Sequence, residues 1–197
     1  MEAANLGVPA VAFSAASGGH ISYTVLESDP KNASVIAAEI YNVLTVKLVD
    51  TLLNNTFNKG EEILPPGSVV NVNYPSVTNC TSAEQFKWVF TRTVPAPKGT
   101  KDVNICNNGG ILTDEQTAFD MAGCWTTVSV FSSATLDDVD AKTQQAVVNA
   151  LSPLLSCQEK LQPSAPPVPD RCPQTQKPSP PPSPSPPPSP SKNPHHS

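Results

Sequence analysis

The sequence has few positive charges and no cluster of them. Its 197 residues include 12 lysines and arginines against 17 aspartates and glutamates, which gives a formal net charge of -5 at pH 7. No run of basic side chains is available to neutralise the phosphate groups of a nucleic acid or of an anionic lipid surface. We therefore predict neither a nucleic-acid partner nor a membrane partner.

Several other signals are absent. No apolar run approaches the length of a membrane-spanning helix. Residues 1–6 contain neither the basic segment nor the apolar segment of a signal peptide. The chain has no GxxxxGK[ST] phosphate loop, and no CxxC or Cys/His spacing typical of a zinc site. These absences exclude a P-loop nucleotide hydrolase and a structural zinc domain.

Five cysteines are present, and four of them lie near the ends of predicted elements, where side chains from different elements can meet. These disulfide candidates are Cys80, Cys106, Cys124 and Cys157. Cys172 is left over as an odd cysteine, and the four candidates permit three pairings. We predict that the four form disulfides, with five reduced thiols in a cytosolic protein as the alternative.

Three Asn-X-Ser/Thr sequons accompany the cysteines and make Asn32, Asn54 and Asn79 glycosylation candidates. Together with the cysteines, the sequons favour a secreted, extracellular protein over a cytosolic one.

Residues 7–14 are apolar without alternation, as in a strand buried on both faces. We predict a parallel strand of inner type over residues 8–14, followed by a loop of small residues. Little chain precedes this strand to supply neighbours, so we expect it to be left at an edge of the sheet, which favours self-association. In open α/β sheets the ligand crevice lies outside the carboxyl ends of such strands, so this loop would lie at the working edge.

A long helix and a second strand follow. Asp29 is predicted as the N-cap, and Pro30 as the first residue, of a helix that runs to Asn54. Residues 69–74 are predicted as a strand parallel to residues 8–14, because the crossover between them should be right-handed. The predicted apolar face of the helix consists of Ile36, Ile40, Val43, Leu44, Leu48 and Leu52.

This topology brings the ends of both strands to one sheet edge, where free backbone N–H groups can line a phosphate pocket. The substrate-pocket candidates are Ser14, Ser17, Gly18, Gly19, Asn71 and Asn73. The alternatives remain structural: the asparagines would end a strand, and Ser14 would satisfy a buried backbone group. His20 is interpreted as a solvated loop residue rather than a general acid.

The rest of the domain is predicted to contain a half-exposed strand or hairpin arm over residues 86–94 and another strand over residues 123–131. Asp137 and Asp138 are predicted to open a final helix, which Pro153 disrupts in its last turn. The predicted buried face of that helix consists of Val147, Ala150, Leu151 and Leu154.

The domain is predicted to end near residue 158, and residues 159–197 to form a disordered, proline- and serine-rich tail. Most of the 23 prolines lie in this tail, which has almost no large apolar side chain. Its PxxP sequence at Pro178 is interpreted as part of a stiff spacer rather than an SH3 ligand. His195 and His196 form at best a weak metal site.

Four segments occur in an order that resembles the SurE-like phosphatase/nucleotidase family, and most closely its secreted fungal and plant acid-phosphatase-like members. They are MEAA followed by GVPAVAFS, then VVNVNYP, then TDE at residues 113–115, then GCWTTVSV at residues 123–130. The LLSC ending at Cys157 is also similar. The resemblance covers residues 1–157.

The resemblance implies an α/β fold, a SurE-like Rossmann-type three-layer α/β/α sheet that is incomplete at its N-terminus and carries a C-terminal β extension and a final helix. It also implies hydrolysis of phosphomonoesters or nucleoside monophosphates with a divalent Mg or Mn ion. The family's metal ligands precede the matched region, so no metal ligand is assigned here, and the Asp137-Asp138 pair is interpreted as helix-capping. The resemblance further implies a homo-oligomer formed through C-terminal elements.

Two hypotheses follow for function. The chain is the C-terminal part of a metal-dependent phosphomonoester hydrolase, of the 5'-nucleotidase or acid-phosphatase type, and is inactive alone. Alternatively, it is a non-catalytic secreted interaction protein whose proline-rich tail associates with a cell wall.

Overall fold

The computed structural model describes residues 1–57 and 62–157, with the side chains of residues 56 and 57 excluded. The predicted tail, with Cys172, His195 and His196, lies outside the described residues. Within the described part, none of the helices combines the length and the apolar character needed to cross a membrane.

Five α-helices and four strands make up the described chain, with a 3-10 helix at Ala83–Gln85. In chain order they are α1 (Glu2–Asn5), β1 (Ala10–Ala15), α2 (Val25–Ser28), α3 (Ala33–Phe57), β2 (Ser68–Tyr74), β3 (Lys87–Phe90), α4 (Glu115–Phe119), β4 (Trp125–Ser132) and α5 (Ala141–Leu151).

The strands form one mixed sheet in the order β1-β2-β4-β3. β1 and β2 are parallel, with Ser14 opposite Asn73, as predicted. β4 lies between β2 and β3, antiparallel to β2 and parallel to β3. The chain therefore belongs to the α/β class, and its first two strands reach the same sheet edge.

β1 has the composition of an inner strand but lies at an edge of the sheet, as predicted. Only β2 pairs with β1 among the described residues, so β1 is an edge strand. Residues 12–15 are exposed, and even the Phe13 side chain, which stacks on Tyr74 at a ring distance of 6.0 Å, remains 38% exposed. The small, β-branched composition indicated burial, but burial requires a neighbour on the outer edge.

The predicted start of the long helix is also wrong. α3 begins at Ala33, where Asn32 Oδ1 accepts the backbone N–H of Ser34 at 3.0 Å. Asp29 instead follows α2, a short helix that the sequence analysis missed, and its backbone N–H donates to Val25 O at 2.9 Å. The Asx-type cap at Asn32 therefore replaces the predicted Asp-Pro start.

α3 packs on one face of the sheet along a narrower stripe than predicted. Ile36 and Val43 were expected on the buried face, but they are 41% and 51% exposed. At 100° per residue these two positions lie to the side of the stripe that faces the sheet. The buried stripe consists of Ala37, Ile40, Tyr41, Leu44, Leu48 and Leu52.

Two further elements differ from prediction. α5 begins at Ala141 with Asp140 as its N-cap, whose Oδ1 accepts the Thr143 N–H at 2.8 Å, so Asp137 and Asp138 do not open it. β3 is shorter than predicted and is mostly buried rather than half-exposed, because β4 and the core cover it. The predicted buried face of α5 is confirmed, and the helix ends at Leu151, before Pro153.

The four candidate cysteines form two disulfides. Cys80 is bonded to Cys124, and Cys106 to Cys157, with Cα–Cα distances of 5.8 Å and 5.4 Å. The first joins the loop after β2 to the start of β4, and the second joins the loop before α4 to the segment after α5. Such bonds are compatible with an extracellular protein.

Candidate functional site

A short helix directs one carboxylate onto the sheet face that α3 does not cover. Asp114 is the N-cap of α4, and its Oδ1 accepts the Thr117 N–H at 3.0 Å. The backbone N–H of Glu115 then donates to Arg92 O at 2.7 Å. These bonds fix the first turn of α4, and the Glu115 side chain reaches the sheet.

Three side chains hold Glu115 by a single oxygen. Asn71 Nδ2, Asn73 Nδ2 and Ser129 Oγ each donate to Glu115 Oε2 at 3.1 Å. Asn71 and Asn73 are two residues apart on β2, and Ser129 pairs with Asn71 on β4, so all three point to the same face. Two neighbouring strands thus supply three donors to one carboxylate oxygen.

Burial is the main influence on Glu115 and raises the pKa of its carboxyl. The hydrogen bonds from Ser129, Asn71 and Asn73 act in the opposite direction because they favour the charged form, whereas the negative charge of Asp138 raises the pKa further. The net result is a carboxyl with a pKa above its ordinary value.

Glu115 borders an open cleft of about 230 Å³ at the carboxyl ends of β1 and β2. Among the residues that the structure describes, Glu115 provides the only carboxylate in the lining, and none of these residues brings a basic side chain to it. Burial raises the pKa of Tyr74 to about 12, so its hydroxyl stays neutral near pH 7. The lining consists of Ser14, Ala15, Ala16, Asn73, Tyr74, Glu115, Gln116 and Phe119.

The structure divides the six predicted pocket residues between two places. Ser14 and Asn73 line the Glu115 cleft, and Asn71 binds the carboxylate that borders it. Ser17, Gly18 and Gly19 instead line a separate cleft of about 320 Å³ together with His20. The six residues therefore do not share one cleft, because the loop after β1 runs towards α3.

The loop after β1 uses its polar groups internally. Ser17 Oγ donates to Ser76 Oγ at 2.9 Å and accepts the Val77 N–H at 3.1 Å. The Gly19 N–H donates to Ser34 Oγ at 3.1 Å. These contacts anchor the loop to the end of β2 and the start of α3.

Arg92 forms a second charged cluster, which is buried and which the sequence analysis missed. Its guanidinium pairs with Asp102 and, at 3.0 Å from Nη2 to Oδ2, with Asp138. Asp138 also accepts the Thr93 N–H at 2.7 Å, so the expected helix-capping role is wrong for this residue. Arg92 continues the alternate positions Phe86, Trp88 and Phe90, which are buried, and this was the available signal for a buried ion pair.

A divalent ion does not fit the residues described. Within residues 1–57 and 62–157, no group of three His, Cys, Asp or Glu side chains is placed to hold a metal. Glu115 Oε2 faces three hydrogen-bond donors rather than further oxygen ligands. Asp114 is engaged as a helix cap, and Asp138 with Arg92.

The glycosylation candidates differ in exposure. Asn54 and Asn79 are exposed, whereas Asn32 is half-buried and caps α3.

Comparisons with protein-family models, with curated proteins and with solved structures found no match to this chain.

Proposed function

We propose that this chain takes part in phosphomonoester hydrolysis of the SurE-like type, in a secreted setting, and that it supplies part of the substrate cleft rather than the metal centre. The proposal rests on one observation, the parallel register that places Ser14 beside Asn73. At this edge of an α/β sheet, where ligands characteristically bind, the Glu115 cleft opens.

In this proposal the Mg or Mn ion, which neutralises the phosphate oxygens when bound, is held by ligands outside the described residues. The described carboxylates already have other partners or lie apart from one another. We therefore expect the chain to hydrolyse phosphomonoesters only when a segment or partner chain with an acidic ligand set completes it. A homo-oligomer formed through C-terminal elements belongs to the same proposal.

The test compares the full chain, produced by secretion from a eukaryotic host, with the same chain co-expressed with the metal-binding half of a SurE-like phosphatase. The substrate is an aryl phosphate, with Mg²⁺ or Mn²⁺, from acid to neutral pH. We expect turnover that EDTA abolishes only in the co-expressed sample. No turnover in either sample would reject the proposal, and EDTA-sensitive turnover by the chain alone would reject the external metal site.

The second candidate function is a non-catalytic secreted interaction protein with a wall-associating tail. The observation that favours it is the exposed, uncharged edge of β1. Among the described residues this strand pairs only with β2, so its outer backbone groups can pair with another strand. Binding of the full chain to isolated cell-wall polysaccharide, together with a failed co-expression assay, would favour this function.

A further inference from the structure

One carboxylate oxygen of Glu115, Oε1, is available to accept a hydrogen bond from a ligand. All three donors bind Oε2, and no hydrogen bond from the described residues reaches Oε1. The side chain is therefore fixed in orientation while one carboxylate oxygen remains able to accept. Such a group is preorganised for a ligand that brings hydrogen-bond donors.

Other polar groups of the cleft can also accept hydrogen bonds. Gln116 Nε2 donates to Asp120 Oδ1 at 2.9 Å, which leaves the amide carbonyl of Gln116 as an acceptor. The hydroxyl of Ser14, on an exposed residue, can both donate and accept. A ligand for this cleft should therefore carry several hydroxyl or N–H donors.

The apolar part of the lining limits which ligands can bind in the cleft. Ala15, Ala16 and Phe119 offer C–H and ring surface beside the acceptors. A phosphate group does not fit, because it brings negative charge and acceptors to a carboxylate without a basic partner in the lining. A sugar ring fits, because it has donor hydroxyls at its edge and a C–H face for the apolar wall.

We propose that this cleft binds a single sugar ring through a vicinal diol, with Glu115 Oε1 accepting from the hydroxyls and Phe119 contacting the ring face. The volume of about 230 Å³ suits one ring and lies below the roughly 300 Å³ at which pockets for drug-sized ligands begin. The inference rests on the proposed function only in assigning the ring to the alcohol part of the phosphate ester.

Asn71 and Ser129 are positioning residues in this site, because they do not line the cleft but hold the carboxylate that does. Their loss should weaken binding and also raise the pKa of Glu115, since each bond favours its charged form. A residue that only supported the fold would leave that pKa unchanged.

The test is a titration of the isotopically labelled full chain with ribose, 2-deoxyribose and glucose, followed by NMR amide shifts. Each sugar is used as its methyl glycoside, which locks ribose and 2-deoxyribose in the furanose form and glucose in the pyranose form. We expect saturable shifts at Ser14, Ala15, Gln116 and Phe119, with a dissociation constant of about 1–10 mM for one ring with few hydrogen bonds. 2-Deoxyribose, which lacks the 2,3-diol, should bind about tenfold more weakly, the equivalent of one net hydrogen bond. Comparing ribose with glucose distinguishes a furanose source from a pyranose source.

Two variants accompany the titration. Glu115→Gln should weaken ribose binding about tenfold or more, because it removes a charge-assisted acceptor. Glu84→Gln, an exposed change on the 3-10 helix, is the matched control and should leave binding unchanged. Wild-type affinity should fall as the pH falls through the raised pKa of Glu115, and the Gln variant should lack this dependence.

Absence of saturable shifts, equal binding of 2-deoxyribose, or tighter binding of ethanolamine than of ribose would overturn the proposal. If Glu115→Gln does not fold by circular dichroism, Phe119→Ala replaces it, and unchanged ribose affinity in that variant would also overturn the proposal. No phosphate and no turnover enter these measurements. The sugar site and the hydrolytic function can therefore fail separately.

Discussion

The two faces of the sheet are built from opposite kinds of side chain. On the face under α3 and α5, alternate residues of β2 and β4 are Val70, Val72, Val128 and Val130, all within 1% of complete burial. On the other face the alternate positions of the same strands carry Asn71, Asn73, Thr127 and Ser129. One pair of strands thus presents a dry surface on one side and a hydrogen-bonded surface on the other.

The apolar face should contribute most of the stability, whereas the polar face carries the groups of the candidate site. The apolar face buries the large side chains of α3 and α5, which is where hydrophobic stabilisation is concentrated. The polar face carries the short α4 and fixes a carboxylate at an open cleft. Substitutions on the two faces should therefore differ in size and in kind.

The largest effect is expected on the apolar face. Leu48 is fully buried between α3 and the sheet, so Leu48→Ala should lower the free energy of unfolding by about 2–5 kcal/mol through lost burial and a cavity. Val43→Ala, on the exposed side of the same helix, should change it by less than about 0.5 kcal/mol. Chemical denaturation of both variants measures this, and similar losses would mean that α3 has two buried faces.

A smaller effect is expected on the polar face. Ser129→Ala removes one of three donors to a half-buried carboxylate and should cost about 1–2 kcal/mol. Ser14→Ala, at an exposed position beside the cleft, serves as the control and should cost less than about 0.5 kcal/mol. Equal unfolding midpoints for Ser129→Ala and wild type would show that the network contributes nothing to stability.

β1 forms the exposed edge of both faces of the sheet. Substitutions in β1 should change self-association of the chain more than its free energy of unfolding. Phe13→Lys should cost about 1 kcal/mol from the lost stacking on Tyr74, while its charge blocks pairing of exposed edges. We expect the wild-type chain to self-associate in sedimentation velocity and Phe13→Lys to be monomeric. Phe13→Leu, without the charge, should still associate, and a monomeric wild type would contradict the prediction.

The last effect is a dependence on pH. Because the pKa of Glu115 is raised in the folded state, that state binds the proton more tightly, and its stability should fall as the pH rises from about 4.5, the ordinary value, through the raised pKa. Glu115→Gln should lack this fall. Asp114 and Asp140, whose pKa values are lowered by hydrogen bonds, act in the opposite sense but are present in both proteins. Parallel stability curves for the two proteins would exclude the effect.

Local patterns were enough for several elements. The strand over residues 69–74 and the buried positions Val147, Ala150 and Leu151 depend only on neighbouring residues, and both were predicted, although α5 begins later than expected. The parallel pairing of β1 with β2 also followed from the sequence, because the handedness of a strand-helix-strand crossover leaves one arrangement. Cysteine positions indicated disulfides but could not choose among three pairings.

The sequence by itself determined the α/β class, the parallel strand pair and the apolar layer, because periodicity and crossover handedness act along the chain. Only the tertiary structure decided that Arg92 pairs with two distant aspartates, and that Glu115 meets Asn71, Asn73 and Ser129. Glu115 lies 42 and 44 residues from the two asparagines, and nothing in the local pattern of any of them refers to the others. Their meeting depends on β4 entering the sheet beside β2, a long-range pairing that no local signal specifies.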